Sequence, residues 1–308
     1  MEVEISVCIC TFKREASLWK CLYSIYKQSL KRQIEIVIID NDTKESGKKT
    51  YQNWIRPFKR KNIILKYFLE NKQGISSARN RCISESNGKY ICFIDDDEEA
   101  DPEWLVNLRD CIINNKADGV FGPVVPRFGK KTPKWIKPLF RDKKSKSEKK
   151  VYSITGFECA NNNLIIHKEV LLKRTGPYDI KFNQLGGEDM DLFTWLVDAH
   201  KCKFLKCETA IVFEYQNYKR CKSVWIIKRS YRGGWLNSSY YVKRDGYIIG
   251  IIILTIRIYF SLIQSTFMAL FITNTADART GFLYFLRSLF SNIGRIGYFL
   301  KANYYEYK

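Results

Sequence analysis

Short apolar runs alternate with amphipathic stretches over the first third of the chain. Residues 5–10 (Ile5-Ser6-Val7-Cys8-Ile9-Cys10) form a β-rich run, after which Leu18, Cys21, Leu22 and Ile25 recur at helical spacing. Residues 34–39 predict a second strand ending at Asp40, and residues 63–68 a third. Ile75, Ala78, Cys82 and Ile83 mark another helix. Residues 90–94 are apolar throughout, and Trp104, Leu105, Leu108, Cys111 and Ile112 continue the alternation as a helix. Strands apolar on both faces and separated by helices predict an α/β fold with a mostly parallel sheet covered on both sides. Ligands of such sheets bind outside the carboxyl ends of the strands, so polar residues just after strands are where chemistry belongs.

The pattern changes further along. Residues 128–150 hold ten Lys or Arg against Asp142 and Glu148, which predicts a basic loop. Residues 156–212 mix turn signals with a helix after Glu188, and residues 222–243 read as a basic helix carrying Val224, Trp225 and Ile227. Residues 247–273 are almost uncharged and would extend about 40 Å as one helix. That could span a bilayer, but Arg257 near its middle costs about 2.5–3.5 kcal/mol on insertion scales. Gly250, Arg257, Ser261, Gln264 and Ser265 share one face at helical spacing, as do Arg287, Ser291 and Arg295 in residues 281–300. Two amphipathic helices with arginine on the polar side are what a hairpin lying on a membrane requires; a pair of core-packing helices is the alternative.

Composition narrows the function. With 308 residues, 45% hydrophobic and 15% aromatic, the chain buries a sizeable core and is neither disordered nor a many-span transporter. Fifty-two Lys or Arg against 32 Asp or Glu leave +20, an excess that seeks anions. Ten cysteines without a CxxC pair, and only two histidines (His167 and His200), disfavour zinc and suit buried thiols in a reducing compartment. The chain begins Met-Glu-Val-Glu with an apolar run too short for a signal peptide, so a cytoplasmic location is expected.

Three segments can carry chemistry. Asp95-Asp96-Asp97-Glu98-Glu99 places five acids directly after an apolar strand. Charges packed this closely repel, and a hard divalent cation relieves the repulsion while bridging phosphates. Gly186-Gly187-Glu188-Asp189 puts acids at the first turn of a helix after two glycines, where an ionised carboxylate can take a proton from a hydroxyl. Residues 71–80 open a helix with Gly74, Ser76 and Ser77 and carry Arg79, a residue suited to phosphate or a base edge. Neither GxxxxGK[ST] nor GxGxxG is present, which removes the main support for P-loop and dinucleotide sites.

Taken in order, these segments resemble an inverting family 2 glycosyltransferase of the GT-A fold. The similarity rests on residues 7–14 (Val-Cys-Ile-Cys-Thr-Phe-Lys-Arg), 37–42, 74–80, Asp95-x-Asp97 and Gly187-Glu188-Asp189. Gly122-Pro123-Val124, residues 212–215 and residues 229–234 extend it toward bacterial succinoglycan-type glucosyltransferases, over about residues 4–235. The resemblance implies a nucleotide-sugar donor, a UDP-hexose, and Mg²⁺ or Mn²⁺. It implies a glycan or lipid-linked acceptor in bacterial surface polysaccharide synthesis. It gives Thr11, Arg14, Asp40, Asp42, Arg79, Asp95 and Asp96 to the nucleotide sugar, and Asp97 with Asp95 to the metal. Asp189 becomes the base, with Glu188 positioning it. Where many members carry a metal-ligating histidine this chain has Glu214, which becomes the third metal candidate. Arg220, Arg229 and Arg232 are candidates for diphosphate or a lipid-phosphate acceptor. The expected organisation is a GT-A domain at 1–240, with a nucleotide-sugar half at 1–125, an acceptor half at 151–240 and the basic loop between. A helical region at 241–308 would associate with the inner face of the cell membrane. A nucleic-acid-binding protein and a non-catalytic membrane scaffold are the rival readings. Five acids beside the cleft oppose nucleic acid, and the complete acidic set opposes a degenerate scaffold.

Overall fold

The computed structural model describes residues 3–61, 63–140, 151–275 and 277–300. Its contacts divide the described chain into two compact units, one of residues 3–125 and 151–214, the other of residues 126–140 and 215–300.

The first unit begins β1 (Ile5–Thr11), α1 (Glu15–Tyr26), β2 (Ile34–Asp40), α2 (Lys48–Arg60), β3 (Ile64–Leu69), α3 (Ile75–Glu85) and β4 (Tyr90–Ile94). It continues through β5 (Glu98–Ala100), α4 (Trp104–Asn114), β6 (Gly119–Phe121) and β7 (Val124–Phe128). After β8 (Val151–Ser153) come β9 (Asn163–His167), α5 (Lys168–Leu171), α6 (Glu188–His200), β10 (Phe204–Cys207) and β11 (Val212–Gln216). Strands β7 and β11 carry the chain from one unit to the other. Among the described residues the main sheet has eight strands in the order β3-β2-β1-β4-β9-β6-β10-β8. Strands β3, β2, β1 and β4 are mutually parallel, as expected, whereas β9 runs antiparallel to both β4 and β6.

Alternation along β1 explains why the sheet is covered on both faces. Ile5, Val7 and Ile9 pack with α1, α2 and α4, while Cys8 joins Ala78, Cys82 and Ile83 of α3 on the other face. Strands β1, β2 and β4 bury both sets, so each reads as a near-continuous apolar run. Because β1, β2 and β4 are parallel, Thr11, Asp40 and Asp95 emerge at one edge, with Thr11 and Asp40 in register.

The second unit contains α7 (Ser223–Asp245), α8 (Tyr247–Thr275) and α9 (Ala278–Phe299). The boundary expected at 240 falls inside α7. Part of the expected basic loop is ordered: Lys134–Phe140 is a 3-10 helix whose buried Ile136 packs with Cys221, Ile226 and Leu283. Thr280 donates to the Trp135 carbonyl and Arg287 to that of Leu139, the latter at 2.9 Å. Residues 141–150 of that loop lie outside the described residues.

Helices α7 and α9 meet backbone to backbone. A β-carbon on Gly234 would stand 1.8 Å from the Ser291 carbonyl oxygen, and one on Gly294 would stand 1.9 Å from that of Tyr231. Ser261 of α8 hydrogen-bonds to Ser288 of α9 at 2.9 Å, and Ser265 is buried. Of the polar face of α8, Gly250, Ser261 and Ser265 turn toward the neighbouring helices while Arg257 and Gln264 stay exposed. The three do so because small residues admit close helix packing and their hydroxyls find partners there.

Candidate active site

The loop after β4 is held by residues that leave β1. The Thr11 hydroxyl donates to Asp96 Oδ2 at 2.7 Å. Arg14 Nη1 stands 2.9 Å from both Asp96 Oδ1 and Asp97 Oδ2. Burial pushes the Asp96 carboxyl up to about 6, and Arg14 and the Thr11 hydrogen bond limit the rise. Asp40 has no exposed surface. Its carboxylate accepts from the Asp42 and Gly47 amides at 3.0 and 2.6 Å and from the Tyr67 hydroxyl at 2.8 Å. Asp40 therefore shapes the loop after β2 from beneath. Asp42, also buried, accepts from the Lys44 amide at 3.3 Å in the same loop. Asn41 ties this loop to the next one, donating to the Glu70 and Lys72 carbonyls and accepting from the Gly74 amide at 2.7 Å.

Within the acidic run the side chains divide by depth. Glu98 is buried, accepting from the Asp95 amide at 3.1 Å and from Asn162 at 2.8 Å, and burial pushes its carboxyl well up. Glu214 on β11 is its register partner on β5. Desolvation pushes the Asp95 carboxyl up to about 7; Arg79 opposes the rise, and the charges of Asp97, Asp96 and Glu214 reinforce it. Because 43% of the Asp95 side-chain surface still meets solvent, water moderates that push.

Arg79 joins the two acidic segments. Its guanidinium is buried, pairs with Glu188 Oε1 through Nη1 and lies 3.9 Å from Asp95 Oδ1 through Nη2. These carboxylates outweigh desolvation and hold Arg79 charged. The buried Tyr178 ring lies 5.7 Å below it and donates its hydroxyl to Asn161. Helix α3 is fixed by Asn183, which accepts from the Ser77 amide at 3.1 Å and donates to the Ser77 hydroxyl at 2.9 Å. Asn183 lies so close over Gly74 that a β-carbon there would stand 2.2 Å from its Cγ, and Gly74 has φ +139°. Only glycine fits that approach and that conformation. Gly187, at φ 90° and ψ 12°, opens α6, and Glu188 and Asp189 occupy its first turn. Asp189 is half-buried and accepts from the Met190 amide at 2.8 Å.

Thr11, Arg14, Asp40, Asp42, Arg79, Asp95, Asp96, Asp97, Glu188, Asp189 and Glu214 all belong to the first unit, whereas Arg220, Arg229 and Arg232 belong to the second. There Arg220 and Arg229 lie 5.9 and 5.2 Å from the Trp225 ring centre. Sequence reasoning missed Glu98 as the support of Asp95, and Asn161 and Tyr178 as the support of Arg79. The signal available was Asn161-Asn162-Asn163, three amides before an apolar run. All three are committed: Asn163 also accepts from Trp104 Nε1 at 2.7 Å.

Among the described residues, no group of three or more His, Cys, Asp or Glu side chains is placed to hold a metal ion. By chemical type alone, the donors of the acidic run are those a hard cation takes. Asp95, Asp97 and Glu214 supply oxygen only, and their mutual repulsion at Asp95 is what a divalent charge relieves. A half-shell of carboxylates completed by substrate phosphates is a usual magnesium arrangement.

The profile of Glycosyl transferase family 2 matches residues 6–173. Succinoglycan biosynthesis protein ExoM of Rhizobium meliloti is 26% identical over 234 residues, which are 75% of this chain and 73% of that protein. GalNAc(5)-diNAcBac-PP-undecaprenol beta-1,3-glucosyltransferase of Campylobacter jejuni is 33% identical over 98 residues, 31% of this chain and 30% of that one. The chain thus spans about three quarters of the first relative and under a third of the second. In fold, it is similar to S. aureus TarS 1-349 in complex with UDP-GlcNAc, with a TM-score of 0.52 and 14% identity over 99% of this chain and 93% of that one. GalNAc-T7 with UDP, GalNAc and Mn²⁺ gives a TM-score of 0.55 and 18% identity over 70% of this chain and 44% of that one.

Proposed function

Because the chain belongs to Glycosyl transferase family 2, we propose that it transfers a hexose from a UDP-sugar, with inversion, to a hydroxyl of a glycan or lipid-linked glycan. The setting proposed is bacterial surface polysaccharide synthesis at the inner face of the cell membrane. The observation that carries this reading is the Arg79 guanidinium, shared between Glu188 beside the base candidate and Asp95 of the acidic run. Single displacement needs a base for the incoming hydroxyl and charge stabilisation for the departing diphosphate, within reach of one sugar. The shared arginine favours that arrangement.

In the proposed mechanism the loop braced by Asp40 and Asn41 frames the uracil, with Thr11 and Asp42 beside it. Asp95 and Asp96 meet the ribose side of the donor. Asp97, Asp95 and Glu214 would hold Mg²⁺ or Mn²⁺, and the bound ion supplies Lewis-acid stabilisation of the leaving diphosphate. Arg14, already between Asp96 and Asp97, adds a fixed positive charge beside that group. Asp189 accepts the acceptor hydroxyl's proton as its oxygen bonds to the anomeric carbon and the bond to diphosphate breaks. Glu188, pinned by Arg79, sets the first turn of α6 and so the aim of Asp189. Arg220, Arg229 and Arg232 are assigned to an anionic acceptor headgroup.

A donor screen with and without Mn²⁺, following nucleoside diphosphate release, tests the reading. Metal-dependent release from at least one UDP-hexose, increased by a polyprenyl-diphosphate-linked acceptor, is expected. Absence of both UDP and Mn²⁺ binding by calorimetry would remove the reading altogether.

A further inference from the structure

The outer face of α8 is the least compensated surface of the second unit. Ile248, Ile252, Ile256, Phe260, Ile263 and Phe267 are each more than half exposed, from 51% at Ile263 to 75% at Ile248. At 100° per residue they fall within a sector of about 120°, one unbroken stripe along the helix. Water is a poor medium for a stripe of that length.

The polar groups of α8 are arranged for a different medium. Gly250, Ser261 and Ser265 face the neighbouring helices. Arg257 lays its guanidinium 4.7 Å from the Tyr241 ring centre. The exposed hydroxyls of Thr255 and Thr266, at the margins of the stripe, donate to the Ile251 and Leu262 carbonyls of their own helix, each at 2.9 Å. Hydroxyls that close on their own backbone need no water, which is the requirement on a lipid-facing surface.

From these observations we infer that α8 lies in the plane of one membrane leaflet, with its isoleucine and phenylalanine stripe among the acyl chains and α7 and α9 above it. This rests on the membrane-side reading above and decides between crossing and lying. Tyr247–Met268 is long and apolar enough to cross a bilayer. However, α8 packs along both α7 and α9, and α7 alone carries exposed Lys228, Arg229, Lys243 and Arg244. A crossing would put Arg257, exposed near the middle of α8, into hydrocarbon at about 2.5–3.5 kcal/mol and would take α7 with its cations into the bilayer alongside it. An in-plane helix leaves them at the headgroups. Tyr247 at one end of the stripe, with Lys243 and Arg244 beside it in sequence, supplies the residues that favour that interface.

The experiment uses the full chain with sealed vesicles of phosphatidylcholine, with and without phosphatidylglycerol. Wild type should sediment with both. Combined Ile256→Lys, Phe260→Lys and Phe267→Lys should weaken binding to neutral vesicles at least tenfold. A Gln set at the same positions, with helicity and UDP–Mn²⁺ binding retained, separates this from misfolding. Trypsin added outside the vesicles should cut at both Lys243–Arg244 and Arg279, since an in-plane helix leaves both ends on one side. Protection of either end that is lost once detergent opens the vesicles would mean a crossing and overturn the inference. So would a wild type that ignores vesicles and dimerises through the stripe. UDP–Mn²⁺ binding in those cases would leave the transferase reading standing.

Discussion

Arg14 and Arg79 show how single cations organise a crowd of acids. Arg14 spans Asp96 and Asp97, and Arg79 spans Asp95 and Glu188, so each carboxylate pair is bridged rather than left to repel. Asp95 is the least neutralised of the set, raised to about 7 with Asp97, Asp96 and Glu214 around it. A metal takes the ionised form, so below this value it must displace a proton. Mn²⁺ affinity should therefore fall as pH drops through the raised range of the Asp95 carboxyl, and level off above it. Calorimetry at about pH 6 and pH 8, in buffers of different ionisation heat, reads both the affinity and the released proton; a flat profile would exclude Asp95 from the metal. Asp189 is a different case, half-buried at the start of α6 with its carboxylate accepting from the Met190 amide at 2.8 Å. Asp189→Asn should cut transfer by about 1,000-fold while leaving UDP–Mn²⁺ affinity within a factor of two. Transfer surviving near the wild-type rate would reassign the base.

Elements differ in how openly the sequence declares them. Strands β1, β2 and β4 were legible because burial on both faces leaves few polar positions to disguise them. Helix α2 was not legible: only Thr50, Trp54 and Phe58 are buried in a segment otherwise polar, too sparse a stripe to stand out. Strand β9 hides among turn signals, and its antiparallel direction is set by its neighbours β4 and β6, which no local pattern reports. Motif spacing predicted the two acidic segments, but not that Arg79 joins them, because that contact links residues 109 apart in sequence. Periodicity marks the polar face of α8 without saying what covers it: Ser261 and Ser265 pack inward while Arg257 and Gln264 stay exposed. Glu35, inside β2, illustrates an apparent violation of the apolar pattern. Its buried carboxylate accepts from Ser6 at 2.6 Å and pairs with Lys66 at 2.7 Å. Burial raises its pKa, but the Asn87 amide, Lys66 and Ser6 more than reverse this and hold it below the usual range. That stability is complete above the ordinary carboxylate range and is lost as pH falls through the lowered value. Lys66→Ala, stripping the charge partner from a buried acid, should cost about 3 kcal/mol in denaturant unfolding at neutral pH. A loss near zero would mean solvent already screens the pair. In the second unit, Gly294→Ala has no room at the Tyr231 carbonyl and should lower the thermal midpoint, whereas Gly233→Ala, whose β-carbon would meet nothing within 4 Å, should not.

For the whole molecule, the +20 charge and the α8 stripe act over different distances. Charge attracts an anionic surface across about 8–10 Å of saline and is screened by added salt. The stripe works only on contact and is indifferent to salt, since it removes apolar surface from water. A chain with both should approach anionic lipid electrostatically and remain there hydrophobically. Affinity for phosphatidylglycerol-containing vesicles should therefore decline as ionic strength rises, each lysine or arginine near the surface contributing about 1 kcal/mol at the outset. The decline should stop at the affinity measured for neutral vesicles, which stays constant with salt. Sedimentation across a salt series reads both curves together. If salt alone releases the chain from every vesicle, the stripe adds nothing; if salt changes neither curve, the excess positive charge faces away from the lipid.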